Sequence, residues 1–280
     1  MEHPRISAVG SGPWQDPTAP ASRIGRWTGE GTYSAFGVRW DVRADDPAAF
    51  QLFLDHMPTV SEPCRPARDG ARSYALRSTG SAFELSADRV ALARGSDLGE
   101  LGEVFQRDLE WTVAERAPRR VFVRAAAVGW RDRVIVLIGA PRSGKRTLVR
   151  ALVRLGATYF SDDYAVFDGT RVHPYPGRLP IWMEPGMHHA FLADGVHHEP
   201  KPLPVGIVVF TSFCPGALWR PKLLSRGQAL LGLLGQAAAL RRDPTRVLRG
   251  LDAVTRACRA LSGPRGDAPG AAQFLLERLV

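Results

Sequence analysis

Nine consecutive residues have the types and spacing to hold phosphate: Gly139-Ala140-Pro141-Arg142-Ser143-Gly144-Lys145-Arg146-Thr147. Two glycines five apart let the backbone curl and point successive N–H groups inward at an anion. A helix opening at the end of the loop adds the positive end of its dipole. Lys145 supplies a point charge for β- and γ-phosphates, so the expected ligand is a nucleoside triphosphate, ATP first. Arg142, Ser143, Gly144 and Thr147 complete the candidate phosphate cradle. One position departs from the P-loop pattern. The residue after the lysine should carry a hydroxyl that ligates Mg2+; here it is Arg146. The Thr147 hydroxyl sits one residue further on, about 100° around a helix. Three outcomes are open. Magnesium is held by other ligands, Arg146 itself neutralises phosphate, or catalysis is lost.

About fifteen residues past the loop stands Ser161-Asp162-Asp163, behind the apolar pair Tyr159-Phe160. An acidic pair at a strand end beside a P-loop is placed for metal contact or for taking a proton from an attacking hydroxyl. The same triplet is also good turn chemistry.

The elements that must position these residues follow from periodicity. Arg120–Ala127 and Arg133–Ile138 read as buried strands, and Arg146–Leu155 as a helix closed by Gly156. Thr158–Phe160 and Tyr164–Phe167 read as strands around the acidic pair, and Val205–Thr211 as another buried strand. Residues 225–240, 245–260 and 267–279 read as helices. Strands alternating with helices predict an α/β layer protein in this half. Upstream, Gly31–Val42 reads as a strand or hairpin. Ser73–Arg77, Ala82–Ser86 and Arg89–Arg94 read as short strands, and 98–116 as an amphipathic helix. The division expected is a flexible arm over 1–26, a β-rich region over 27–117 and a P-loop domain over 118–280.

Composition narrows the rest. The 280 residues carry 37 Lys+Arg against 28 Asp+Glu, a formal charge of +9. Only Lys145, Lys201 and Lys222 are lysines, and the arginines are scattered rather than gathered in a stripe, which argues against nucleic-acid binding. Three cysteines far apart (Cys64, Cys214, Cys258) argue against a disulfide framework or a cysteine zinc site. No apolar run approaches the ~18 residues of a membrane helix, and no secretory signal is evident, so the expectation is a cytoplasmic protein with no membrane partner. The pairs His188–His189 and His197–His198, near Glu184, Asp194 and Glu199, have no standard metal spacing and read as a polar loop. His173 sits in a Pro-rich turn, and Arg178 beyond it is a candidate phosphate contact. The leucine-rich run Gln228–Leu240 suits core or a subunit interface, which leaves a homo-oligomer open.

Residues from about 120 to 280 resemble the kinase domain of the HPr kinase/phosphorylase family and its shorter relatives. The features are RVFVRAAAVGWRDRVIVLIGAPRSGKRTLVRALVRLGATYFSDDYAVFD, then VHPYPGRLPI, PLPVGIVVF and SGPRGDA. The resemblance implies a P-loop kinase-type α/β core with a smaller β-rich N-terminal region, ATP with Mg2+ as cofactors, and a protein or peptide Ser/Thr hydroxyl as acceptor. It also implies Asp162 as the base, Asp163 in a supporting or metal role, and Arg265 facing the phosphates. The chain departs from the family at two positions: Arg124 replaces a histidine before the loop, and Arg146 replaces the hydroxyl residue. Those two changes together favour relaxed catalysis. The readings are therefore an ATP-dependent phosphotransferase, a degenerate kinase that binds nucleotide or peptide without turnover, and a small-molecule kinase.

Overall fold

The computed structural model describes residues 26–66, 71–141, 143–176 and 201–278. The first part of the chain builds a mixed sheet of β1 (Gly29–Ala35), β2 (Val38–Ala44), β3 (Glu62–Pro63), β4 (Arg72–Thr79), β5 (Ala82–Ala87) and β6 (Val90–Gly95), in the order β3-β1-β2-β4-β5-β6. The β1–β2 hairpin turns at Phe36 and Gly37, with φ of 50° and 82°. Two successive positive φ values match the twist of the flanking strands. The parallel step from β2 to β4 is carried by α1 (Pro47–His56), which sequence periodicity passed over. Its start is nevertheless written in the sequence: Asp46 Oδ1 accepts from the Ala48 N–H at 2.8 Å, and Pro47 occupies the first helical position.

Helix α2 (Leu98–Arg116) is the expected amphipathic helix. Leu101, Phe105, Leu109 and Val113 bury one stripe against Phe53, Tyr74 and Leu85. Glu103, Gln106, Arg107 and Glu110, spaced by three or four residues, lie on one stripe of the helix that lines a cleft. Phe122, Tyr164, Val166 and Tyr175 from further along the chain join the same core, so the first sheet is welded to the second.

The second sheet runs β10-β8-β9-β13-β12-β11-β7, with β15 and then β14 branching from β13. Its strands are β7 (Val121–Arg124), β8 (Ala126–Trp130), β9 (Arg133–Ile138), β10 (Thr158–Ser161), β11 (Tyr164–Asp168), β12 (Arg171–His173), β13 (Leu203–Phe213), β14 (Lys222–Leu223) and β15 (Arg259–Arg265). Strand β9 is buried on both faces, which is why it reads as an unbroken apolar run. Val134, Val136 and Ile138 pack with Leu233, Val247 and Leu251. Ile135 and Leu137 pack on the opposite side with Leu148, Leu152 and Leu275. The covering helices are α4 (Arg226–Leu234) and α5 (Pro244–Ala257) on the first face, and α3 (Lys145–Arg154) and α6 (Ala268–Glu277) on the second. The chain is thus α/β with two mixed sheets and, among the described residues, six helices.

Three expectations need correction. The helix expected over 225–240 stops at Leu234. The next residues lie against the free edge of β7, where Gln236 accepts from Arg124 N–H at 2.9 Å and Ala238 donates to Phe122 at 3.0 Å. Covering a strand edge satisfies backbone groups that a longer helix would leave bare. The helix expected over 245–260 stops at Ala257, and Arg259–Arg265 runs as a strand parallel to β13. Gly263-Pro264 cannot prolong a helix. Finally, Arg120–Ala127 is not one strand. It breaks at Ala125 into β7, which pairs with β11, and β8, which pairs with β9 and β10.

Candidate active site

The break at Ala125 has a twin. Strands β10 and β11 are separated only by Asp162-Asp163, and they too pair with different partners, β8 and β7. The two breaks lie side by side, joined by a bond from the Ala125 N–H to the Asp163 carbonyl at 3.1 Å. The acidic pair therefore sits where both strands change neighbours. The turn is fixed by Ser161, whose Oγ accepts from the Tyr164 N–H at 3.1 Å and the Asp163 N–H at 3.3 Å.

Opposite this turn the glycine-bounded loop over residues 139–145 joins β9 to α3. Gly139 needs its missing side chain, because a Cβ there would lie 2.4 Å from both Ser143 Oγ and the Thr211 carbonyl. Gly144 caps α3 in the left-handed region, at φ 76° and ψ 18°. The first N–H groups of α3 have no partner inside the helix and can serve an anion. Lys145 lies along the loop, donating to the Gly139 carbonyl at 2.6 Å and the Ala140 carbonyl at 3.1 Å. Burial, with help from Arg124 and Arg146, pulls its pKa below the ordinary lysine value, against an opposing pull from Asp163.

Of the remaining candidates, Ser143 is buried under the loop, while Thr147 is exposed and lines the cleft above it. Arg142, Arg178 and the four paired histidines lie outside the described residues. Arg265 is 1% exposed and does not line the cleft above the loop. Its Nη2 donates to the Gly144 carbonyl at 2.5 Å, holding the loop from behind. Arg265 thus lies behind the loop and not on the cleft face that its implied role would use. His173 packs edge-on against Phe36 and lies 3.5 Å from Asp168, in a structural position away from the loop.

The two aspartates are not equivalent. Asp162 is 8% exposed. Its Oδ1 accepts from the Tyr159 hydroxyl at 2.6 Å and its Oδ2 from Arg146 Nε at 2.9 Å. Asp163 keeps 43% of its side chain exposed, with Arg146 Nη2 3.7 Å from its Oδ2. Burial of its surroundings, then Asp162, raises the Asp163 pKa, while Arg146, Arg124 and Lys145 act in the opposite direction. Burial works to lower the Arg146 pKa, but Asp162 and Asp163 outweigh it and the guanidinium is held more firmly charged than usual.

Two clefts meet here. One, of about 750 Å³, is floored by the P-loop. The other, of about 780 Å³, opens between α2 and the β7–β11 edge and is lined by Leu92, Trp111 and Glu110. Arg124, Arg146 and Asp163 line both and form the wall between them. Glu110 was not singled out by sequence reading. It accepts from Gln106 Nε2 at 2.8 Å, and burial, with Asp163 and Asp162 nearby, pushes its pKa up to about 7. The only signal for it was the polar stripe of α2, which any exposed helix face would share.

The donor set does not suit Mg2+. Both oxygens of Asp162 are engaged, the hydroxyl position is an arginine, and a guanidinium stands beside both carboxylates. Among the described residues no group of three or more His, Cys, Asp or Glu side chains is gathered to hold a metal. Among the described residues, then, no set of further ligands stands around Asp163 for the metal role expected of it.

Glu110 has a consequence for stability. With a folded pKa near 7 against an ordinary carboxyl near 4.3, the folded state holds its proton across that window while the unfolded chain has released it. Stability from this group is present at low pH and is lost as pH rises towards 7. Glu110→Gln should therefore gain stability over the wild type at pH 8 relative to pH 5 in urea unfolding. An identical difference at both pH values would show that Glu110 does not titrate in this range.

No family model matches the chain, and no curated protein matches it. Among solved structures it is similar to the HPr(Ser) kinase/phosphatase from Coxiella burnetii, with a TM-score of 0.32 and 12% identity, over 56% of this chain and 93% of that one. Among the described residues no helix is long and apolar enough to cross a membrane.

Proposed function

We propose that the chain binds a nucleoside triphosphate at the P-loop and transfers its terminal phosphoryl group to a Ser or Thr hydroxyl of a protein or peptide. The observation that carries this reading is the shared wall: Asp163 stands between a phosphate-binding cleft and a second cleft large enough for an acceptor. The loop amides and Lys145 hold the β- and γ-phosphates. An acceptor hydroxyl in the second cleft gives its proton to Asp163 while its oxygen bonds to the γ-phosphorus. The bond from that phosphorus to the bridging oxygen breaks, and the diphosphate leaves with the electron pair. Arg124 offsets the charge that builds up. Asp162, the base that the family resemblance implies, is here the residue that positions Arg146, because its two oxygens already accept hydrogen bonds. The exposed Trp111 and the apolar Leu92 suit a peptide side chain.

A second reading, binding without turnover, draws on the ion pairs between Arg146 and the two aspartates. Measurement of binding and turnover together separates the two. Lys145→Ala should weaken ATP binding by about 1–3 kcal/mol, the range of a charge-assisted contact, as read by calorimetry. If the wild type binds neither ATP, GTP nor pyrophosphate at millimolar ligand, the nucleotide site is not there.

A further inference from the structure

Arg146 follows the P-loop lysine, in the first turn of α3, where a phosphate-binding loop ordinarily presents its magnesium-binding hydroxyl. Its side chain is not a loose replacement. Nε is 2.9 Å from Asp162 Oδ2 and Nη2 is 3.7 Å from Asp163 Oδ2, so the guanidinium bridges the two carboxylates that a metal would be expected to use. The bridge is itself fixed from behind, since the Tyr159 hydroxyl holds the other oxygen of Asp162 at 2.6 Å. Tyr159 is 1% exposed, which leaves this carboxylate little room to swing towards an incoming ion. Yet the arginine side chain remains 61% exposed and lines both clefts. A guanidinium has five N–H donors in a planar fork. One edge is turned to the aspartates, and the others are open to the space above the loop. That is the geometry of a cation anchored on one side and presented on the other.

We propose that Arg146 is the resident cation of this site, and that the ligand it selects is the free, metal-uncomplexed nucleoside triphosphate. The proposal rests on the P-loop binding a nucleotide. An Mg2+ ion would bring two positive charges against a fixed guanidinium, beside an Asp162 whose two oxygens each already accept a hydrogen bond. A free triphosphate meets Lys145, Arg146 and Arg124 instead, and its oxygens accept the N–H groups that the aspartates leave unused. Arginine keeps its charge at any physiological pH, so the arrangement does not depend on a group that titrates. Within this proposal Arg146 is not a sign of relaxed catalysis, as Arg124 and Arg146 together suggest, but the part that makes a metal unnecessary.

The test is calorimetric titration of ATP in buffer with EDTA and again with excess MgCl2, for the wild type and for Arg146→Ser. Wild type is expected to bind ATP in EDTA at least as tightly as in magnesium. Arg146→Ser should bind at least tenfold more weakly in EDTA and regain affinity on adding magnesium, because a hydroxyl returns to the metal position. The side chain is mostly exposed, so the variant should fold, and circular dichroism checks that it does. Arg146→Lys keeps the charge without the fork and should fall between the two in EDTA. Wild-type binding tightened tenfold or more by magnesium would overturn the proposal while leaving the nucleotide site intact. Absence of binding in both buffers would remove the nucleotide site and the proposal together.

Discussion

Asp163→Asn is expected to slow phosphoryl transfer by ~10²–10⁴, the usual contribution of a positioned general base. ATP affinity should hold or rise slightly, because a negative charge leaves the neighbourhood of Lys145 and Arg146. The split follows from timing. A base acts on the acceptor proton as the transition state forms, so its removal lowers the rate without weakening the bound ground state. The structure makes the choice of aspartate specific. Asp163 is accessible from both clefts, whereas Asp162 has Tyr159 and Arg146 on its two oxygens. Because its pKa is raised, the wild-type rate should also fall as pH drops through the folded-state value, and this limb should vanish in the variant. A radiolabel transfer assay with an acceptor peptide gives the rate. Undiminished phosphorylation by Asp163→Asn, with loss in Asp162→Asn instead, would return the base role to Asp162.

Gly144→Ala should cost at least 10²-fold in nucleotide affinity while leaving the fold in place. At φ 76° a Cβ meets its own backbone, a penalty of roughly 1–2 kcal/mol. The added carbon would also lie 2.4 Å from Arg265 Nη2. That guanidinium is buried and cannot step aside, so either its bond to the Gly144 carbonyl is lost or the turn opens. Both results point the loop amides away from the anion. Calorimetry with ATP reads the loss, and thermal unfolding checks the fold. Near wild-type affinity would mean that the cradle does not depend on this turn.

The parts of the molecule that were legible beforehand are those governed by local rules. The strand, glycine loop and helix over residues 133–154 could be read because β9 is apolar on both faces and the glycines punctuate the turn. The strands over 72–95 were legible from alternation and turn residues. What escaped depended on distant partners. Strand β15 borrows its conformation from β13, with which it pairs in parallel, and Arg259–Arg265 has too little alternation to announce it. The break at Ala125 has no local cause visible in RVFVRAAAVGW, since it exists to let two strands change neighbours beside the acidic turn. Glu110 joins the site only because α2 is packed over the second sheet. The unequal standing of Asp162 and Asp163 hangs on Tyr159, three residues away from Asp162 and read only as an apolar residue.

The brace behind the P-loop also orders events in time. Arg265 and Gly144 are 121 positions apart, so the strand that carries the brace leaves the ribosome long after the loop it holds. The helix and loop that carry Lys145 can be synthesised, and their neighbours β8 and β9 paired, while the carbonyl of Gly144 has its helical donor Leu148 N–H but not yet Arg265. Contacts of such long range form late, because the intervening chain must be ordered before they can reward it. A nascent chain that has not yet delivered residue 265 therefore holds every residue of the 139–147 loop without the contact that fixes its shape from behind.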